Sequence, residues 1–455
     1  MTQTFLRTTL VASASRMALF GLCTMAVCAL ATSQPARAQD NWWDSMTGGG
    51  PFGSTPKQAD DRPEKTVEAL DDLRPDATPW RSDIMLDAMS GAIARYEQIV
   101  ASGGWPAVPP GRMMRVNDDD PRVPILRKRL RISGDMPAKG QYYDSQTFDS
   151  ELELGVKRFQ SRHGIRPSGR IERSVYEVLN ITADQRLAQL KLNYDRIKAL
   201  MSGIEDRYVL VNVPAFQLEA VEKHEVQLRH RVIVGRPGRD TPDVRAMVKA
   251  LNFFPFWRVP DSVATLDLIP RLQKEPEYLV NEGIRVFDGY NGPEVERSTI
   301  DWYSPNVANY RFKQDPGDKN ALGLVRLDMQ NEHGVYMHDT PLKKLFDQRS
   351  RPFSAGCVRV QDVFQLADWL ARYEPGWEQA GQAQQVVAGG QPLDLTLSRP
   401  VPVHFVYVTA WNEPSTDKVQ FRPDIYGRDG LAMHGAAVAE GEDAPPPIAT
   451  QALAP

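Results

Sequence analysis

The stretch RYVLVNVPAFQLEAV, residues 207–221, marks a change in the spacing of apolar side chains. The period changes to two from residue 207: residues 208–213 have the composition of a strand, and further runs follow at 216–220 and 227–234. Alternation of this kind predicts β-strands, and the turn residues between the runs predict antiparallel pairing. A mostly antiparallel β domain is therefore expected to begin near residue 206 and to extend to residue 428.

The chain before residue 206 has helical spacing instead. Residues 81–120 and 181–205 are predicted to form a helical scaffold, because apolar residues recur there at intervals of three and four. Residues 121–180 are predicted to form a separate small helical module. Capping-box patterns at 150–153 and 182–185 predict the starts of two helices. The fold class is thus α+β and multidomain, with helical parts followed by the β domain.

Residues 265–320 interrupt the strand pattern of the β domain. This segment is rich in proline, glycine and aromatic residues. Long insertions in a β domain usually act as lids or binding loops. Tyr290, Trp302 and Tyr303 are candidates for gripping a substrate, and packing within the insertion is the equal alternative.

The two ends of the chain differ in composition from the rest. Residues 1–38 resemble a secretory signal peptide, with arginines, an apolar run at 17–32 and an A-x-A cleavage pattern before Gln39. A transmembrane anchor is the alternative, but this run is shorter than the ~20 residues that a spanning helix needs. No other segment is apolar enough to span a bilayer, so no membrane span is expected after cleavage. Residues 39–80 are predicted to be a flexible linker, and residues 429–455 a disordered tail.

Charge and cysteine content narrow the function classes. The formal net charge is −4 and no basic cluster is present, which argues against nucleic-acid binding. Of three cysteines, Cys23 and Cys28 lie in the predicted signal peptide, which leaves Cys357 as the lone thiol of an exported chain. A lone thiol in an oxidising compartment is exposed to damage, so its retention suggests use as a nucleophile.

The surroundings of Cys357 fit cysteine acyl transfer. This chemistry needs a base, which His338 could supply from nineteen positions earlier, and donors for the oxyanion. Gly356 permits close approach of a substrate carbonyl, and Arg359 could lower the thiol pKa or hold a carboxylate. The alternative is a buried structural thiol beside a turn histidine.

These residues carry a family resemblance. The segments YMHDTP, residues 336–341, and SAGCVRV, residues 354–360, resemble the active-site signature of L,D-transpeptidases with a YkuD-type catalytic domain, in particular the large YcbB-like subgroup. Residues 121–180 are similar to a peptidoglycan-binding helical module, through VKRFQSRHG at 156–164. Many family members have histidine where this chain has Ala355, which excludes a second catalytic histidine at that position.

The resemblance implies a specific reaction. Cys357 would attack the carbonyl before the terminal D-Ala of a peptidoglycan tetrapeptide stem, and His338 would move the proton. A side-chain amine of a second stem would then resolve the acyl-enzyme into a 3→3 crosslink, with no cofactor and no metal. Gly356, Arg359, Ser354, Tyr336 and Thr340 would support the oxyanion and the site.

Three readings of the function stay open from sequence. In the first, the chain crosslinks peptidoglycan, which is then its partner, and the protein acts in the periplasm. In the second, an envelope-protein amine accepts the acyl group. In the third, the chain binds peptidoglycan without catalysis.

Overall fold

The computed structural model describes residues 72–138 and 144–431, which all belong to one compact unit. The predicted signal peptide, most of the predicted linker and residues 432–455 of the predicted tail lie outside the described residues. Within the described ranges, helices come first and a β-rich region follows, so the predicted α+β multidomain class is confirmed.

The helices and strands of the described residues have the following bounds. The α-helices are α1 (Asp83–Ala101), α2 (Val123–Ile132), α3 (Ser150–Arg162), α4 (Arg173–Leu179), α5 (Ala183–Leu200), α6 (Asp261–Val263), α7 (Ile269–Leu272), α8 (Tyr278–Asn281), α9 (Val363–Ala371) and α10 (Gln382–Gly389). A π-helix spans Ala264–Leu268, and short 3-10 helices span Arg297–Thr299, Pro305–Asn309 and Lys343–Asp347. The strands are β1 (Arg207–Asn212), β2 (Gln217–Glu222), β3 (Glu225–Gly235), β4 (Val244–Phe253), β5 (Trp257–Arg258), β6 (Ile284–Asp288), β7 (Tyr310–Gln314), β8 (Val325–Asp328), β9 (Met337–His338), β10 (Pro352–Ser354), β11 (Val358–Val360), β12 (Leu393–Val406), β13 (Ala410–Glu413) and β14 (Lys418–Phe421).

Nine of these strands form the main sheet of the described residues, in the order β10-β3-β11-β9-β8-β4-β12-β1-β2. The long strand β3 also pairs with β2, so the sheet closes on itself. Most neighbouring pairs are antiparallel, as predicted, whereas β1–β12, β3–β10 and β9–β11 are parallel. The closed sheet and helix α9 enclose the main apolar core.

Strand β1 is buried on both faces. Val209 and Val211 point into the main core, while Tyr208 and Leu210 pack in a second core with residues of α1 and α5. Alternating side chains of a strand face opposite sides, so an apolar run such as this one fits a strand between two layers. The helical scaffold thus covers the outer face of the β domain.

The predicted helical module contains α2, α3 and α4 around its own apolar core. The capping box at Thr182 is present and begins α5. The capping box predicted at 150–153 is wrong: the N-cap of α3 is Asp149, whose carboxylate accepts the N–H of Leu152. The module contacts the β14 strand, where the ring of His163 stacks on Phe421 at a centroid distance of 5.3 Å.

Two segments predicted to be unstructured are partly buried. In the predicted linker, Trp80 is fully buried and the Arg74 side chain binds Glu413 at 2.9 Å. In the predicted tail, the buried carboxylate of Asp429 accepts the hydroxyl of Thr409 and pairs with Arg196 at 2.6 Å. Long-range ion pairs order these residues, and composition alone does not reveal such partners.

The insertion forms a compact layer of its own. Its strands β6 and β7 form a three-stranded antiparallel sheet with β5, which precedes the predicted start at residue 265. Helix α6, which also precedes residue 265, and helices α7 and α8 pack with this sheet around a separate apolar core. Tyr336 and Ala355 also contact this core. The insertion therefore rests directly on the two segments that carry the predicted nucleophile and base.

Candidate active site

The sheet brings the two predicted catalytic segments side by side. Strands β9 and β11 are parallel neighbours, with Val358 opposite Met337 and Arg359 opposite His338. The N–H of Val358 donates to the carbonyl of Tyr336 at 3.0 Å. A separation of nineteen positions in sequence therefore becomes contact between neighbouring strands.

His338 is fully buried, and its protonation pattern follows from one contact. Its Nδ1 lies 2.5 Å from the backbone carbonyl of Asp339. A carbonyl oxygen can only accept, so Nδ1 carries the proton in the neutral ring and Nε2 carries the lone pair. The carboxylate of Asp339 accepts the N–H of Leu324 at 3.0 Å and pairs with Lys343, which fixes the loop after the histidine.

Cys357 is a buried free thiol with 7% of its surface exposed. Burial raises the pKa of the Cys357 thiol to about 11. A backbone hydrogen bond from Tyr336, the charge of Arg359, the Tyr336 hydroxyl and the charge of Arg326 act in the opposite direction on that pKa. The thiol is therefore protonated at neutral pH and needs a base before it can attack.

Tyr336 links the histidine to the thiol. Its ring lies 5.7 Å from the ring of His338 in an edge-on arrangement, and its backbone N–H and hydroxyl bond to Cys357. Burial, with the neighbouring thiol of Cys357, raises the pKa of Tyr336 well above its ordinary value. The phenol consequently stays protonated and can act as a hydrogen-bond donor.

Ser354 braces the turn that carries the thiol. Its hydroxyl donates to the carbonyl of Cys357 at 2.6 Å and accepts the N–H of Gly356 at 3.2 Å. Gly356 has φ +124°, a conformation that L side chains rarely adopt. Thr241 adds a bond from its hydroxyl to the carbonyl of Gly356 at 2.8 Å. These contacts favour a role for Ser354 in stabilising the loop.

Arg359 and Thr340 occupy different surroundings. Arg359 is 1% exposed, and burial lowers the pKa of its guanidinium to about 10, while the neighbouring Cys357 raises it. Arg359 is thus close enough to stabilise a thiolate at Cys357 by its charge. Thr340 is fully buried and accepts the N–H of Leu342 at 3.2 Å, so it shapes the loop after His338.

The three aromatic residues predicted for the insertion divide into two groups. Trp302 is 6% exposed and its ring stacks on Phe312 within the insertion core. Tyr290 and Tyr303 are 68% and 74% exposed, and their hydroxyls donate to Asp261 and to the carbonyl of Gln273. Packing within the insertion accounts for Trp302, and the two tyrosines lie on its surface.

Several supporting residues were missed from sequence. Thr241 holds the nucleophile turn, and its hydroxyl also accepts the N–H of Gly235 at 2.9 Å. A polar residue after the glycine-containing turn at 235–240 was the available signal. Arg236, Arg239 and Asp267 form an ion-pair group beside the same turn, and nothing in their spacing indicated it.

Metal sites and membrane-spanning helices are both absent from the described ranges. Within residues 72–138 and 144–431, no group of three or more histidine, cysteine, aspartate or glutamate side chains is placed to hold a metal ion. Across the same residues, no helix is long and apolar enough to cross a membrane.

Most of the β domain matches a known family of catalytic domains. Residues 206–403 match the family described as YkuD, L,D-transpeptidase catalytic domain. A protein of Haemophilus influenzae (strain ATCC 51907 / DSM 11121 / KW20 / Rd), called putative L,D-transpeptidase, is 34% identical over 222 residues. That alignment covers 49% of this chain and 44% of the relative, so the match spans less than half of the relative's length.

Two solved structures are also similar to parts of the chain. One is an L,D-transpeptidase (Yku) from Stackebrandtia nassauensis, at 12% identity and a TM-score of 0.22, covering 64% of this chain and 96% of that one. The other is the Ldtfm-avibactam carbamoyl enzyme, at 13% identity and a TM-score of 0.21, covering 44% and 49% respectively. At these TM-scores the superpositions add nothing to the family match.

Proposed function

We propose, from the premise that residues 206–403 belong to the YkuD family of L,D-transpeptidase catalytic domains, that this protein forms 3→3 crosslinks in peptidoglycan. The donor is a tetrapeptide stem, and the acceptor is the side-chain amine of a diamino acid on a second stem. The observation that carries the proposal is the pairing of β9 with β11, which sets the His338 and Cys357 segments side by side in a matched domain.

The first half-reaction begins at the protonated thiol. Nε2 of His338 takes the proton from Cys357, and the sulfur attacks the carbonyl that precedes the terminal D-Ala. The tetrahedral intermediate then collapses, the C–N bond breaks and the imidazolium of His338 protonates the departing amine. A thioester remains on Cys357, and free D-Ala leaves.

Stabilisation of the oxyanion falls to groups beside the sulfur. The N–H of Gly356 is engaged by Ser354, so the backbone N–H of Cys357 is the donor proposed for the oxyanion. The Tyr336 hydroxyl, which bonds to the sulfur, stabilises the thiolate before attack. Arg359 adds a positive charge beside the developing anion.

The second half-reaction reverses the proton path. The acceptor amine attacks the thioester, His338 takes its proton and returns one to the departing sulfur, and a new amide bond forms. One amide replaces another, so the reaction needs no nucleotide and no redox group. Water in place of the amine would give hydrolysis, and an envelope-protein amine would give protein attachment.

The N-terminal segment and the helical module are proposed to bring the catalytic domain to its substrate. Residues 1–38 direct export to the periplasm, where the wall substrate is found. The helical module at 121–180 binds the wall and holds the catalytic domain near its stems.

Mass spectrometry of the purified protein with a disaccharide-tetrapeptide tests the proposal. A dimer that lacks one D-Ala is expected with the wild type and not with Cys357→Ala. Release of D-Ala without a dimer would redirect the proposal to hydrolysis or to a protein acceptor. A Cys357→Ala variant that folds and still forms dimer would overturn the mechanism, and an inactive wild type would favour binding alone.

A further inference from the structure

An aspartate of the insertion bridges two arginines of the β domain. The Asp267 carboxylate lies 2.7 Å from Nη2 of Arg236 through Oδ1 and 3.0 Å from Nη2 of Arg239 through Oδ2. Both arginines belong to the loop between β3 and β4, whereas Asp267 belongs to the insertion. One carboxylate therefore joins the insertion to this loop through two guanidinium groups.

The arginine loop is part of the same site as the nucleophile. The N–H of Arg236 donates to the carbonyl of Ser354 at 2.9 Å. The carbonyls of Arg239 and Asp240 lie 3.8 Å and 3.7 Å from the position that a side chain at Gly356 would take. The charge of Arg236 also acts on Arg359, whose own charge acts on the thiolate form of Cys357.

One guanidinium nitrogen of the two arginines can still donate a hydrogen bond. Among the described residues, Nη1 of Arg239 is buried and has no hydrogen-bond partner. A buried guanidinium N–H without an acceptor is costly, which indicates that another acceptor belongs there. Asp267 itself lies in the π-helix Ala264–Leu268, and such segments are rare and frequent at functional sites.

On the basis of the proposed function, we propose that Arg236 and Arg239 bind a free carboxylate of the peptide substrate, and that this carboxylate takes the place of Asp267. The residue that leaves a tetrapeptide donor bears its carboxylate one residue beyond the attacked carbonyl, so a carboxylate site is needed close to the sulfur. Two arginines present the forked donors that carboxylates prefer. Asp267 then competes with the substrate, and binding releases the insertion from the arginine loop.

Alkylation of Cys357 tests the arginine pair without any transpeptidase activity. Iodoacetate carries a carboxylate, and iodoacetamide is its neutral counterpart. The rate of alkylation by iodoacetate divided by the rate by iodoacetamide therefore reports an anion site beside the sulfur. Asp267→Asn should raise the ratio about tenfold, and Arg236→Gln with Arg239→Gln should lower it below the wild-type value, as expected for one charge-assisted hydrogen bond. Glu275→Gln is the matched control, because it removes a carboxylate from an exposed ion pair of the same insertion.

A second comparison uses the donor itself. The double arginine variant should raise KM for the tetrapeptide donor about tenfold to a hundredfold, and should leave KM for the same donor with a C-terminal amide within about twofold. Asp267→Asn should lower KM for the acid only. Equal effects on acid and amide, or an alkylation ratio that Asp267→Asn changes no more than Glu275→Gln does, would overturn the carboxylate site. If the wild type turns over neither donor, the proposed function fails, and the alkylation ratio still decides whether the arginine pair binds carboxylates.

Discussion

Replacement of Ser354 by alanine separates a bracing role from a chemical one. The change removes the bond to the carbonyl of Cys357 and leaves the N–H of Gly356 without its hydroxyl acceptor. One intramolecular hydrogen bond contributes a net ~1 kcal/mol to the free energy of unfolding, and a buried polar group left without a partner costs ~1–3 kcal/mol. We therefore expect Ser354→Ala to lower the free energy of unfolding by about 2–4 kcal/mol.

The same change should slow acyl transfer through geometry. Loss of both bonds allows the nucleophile turn to shift, and a displacement of about 1 Å at a reacting group can lower the rate ~100-fold. The free energy of unfolding is measured by urea denaturation, and the rate by release of D-Ala. Ser398→Ala is the control, because its hydroxyl also makes a side-chain bond, to Glu374, elsewhere in the β domain. A Ser354→Ala variant that keeps full stability but loses activity would refute the bracing role and assign Ser354 to the chemistry.

Three further predictions concern the thiol, the histidine loop and the pH dependence of stability. Tyr336→Phe should raise the pKa of Cys357 and slow its alkylation by iodoacetamide at pH 8.5 about tenfold or more, since a hydrogen bond to the thiolate is lost; an unchanged rate would exclude that bond. Gly323→Ala should reduce D-Ala release, because the new side chain would lie 2.4 Å from the carboxylate of Asp339 at a φ of +62°; wild-type turnover would show that this loop does not position the base. Burial lowers the pKa of His230 in the folded protein to about 4, so His230 should account for a loss of about 2–3 kcal/mol of stability as pH falls from 7 to 4.5, where the unfolded state binds the proton much more fully than the folded state. Urea denaturation at both pH values should find this loss diminished in His230→Gln, and an equal loss in the variant would contradict the assignment.

The sequence predicted the features that depend on local patterns. The alternation from residue 207 predicted strands, and Val209 and Val211 do face the opposite side from Tyr208 and Leu210. The motif around Cys357 predicted which two segments should meet. These predictions succeed because strand period and a contiguous motif are encoded in neighbouring residues.

Features that depend on distant partners could not be predicted in this way. Thr241 bonds to Gly356 across 115 positions, and its role requires knowledge of how β3 lies beside the nucleophile turn. Closure of the sheet by β2 and β3 is likewise a property of the whole set of strands. The proton position on His338 depends on one backbone carbonyl, which residue types do not reveal.

The partners of several charged residues could not be predicted from sequence either. Arg74 and Asp429 lie in segments whose composition suggested disorder, yet each is buried by a specific partner far away in sequence. The Asp267 bridge joins residues 28 and 31 positions apart, between an insertion and a loop. Pairing of this kind is decided by tertiary packing, so charge patterns in single segments give no signal for it.

The proposed reaction requires that Cys357 carries the acyl group, and peptide mass spectrometry detects that acyl group directly. The wild-type protein is incubated with a tetrapeptide donor whose diamino-acid amine is acetylated, so that no acceptor can resolve the intermediate, and is then acid-quenched and digested. A mass increase equal to the donor minus D-Ala is expected on the peptide that contains Cys357, and it should be absent from folded Cys357→Ala. Release of D-Ala with the acyl group on another residue, or an adduct that persists in Cys357→Ala, would contradict it.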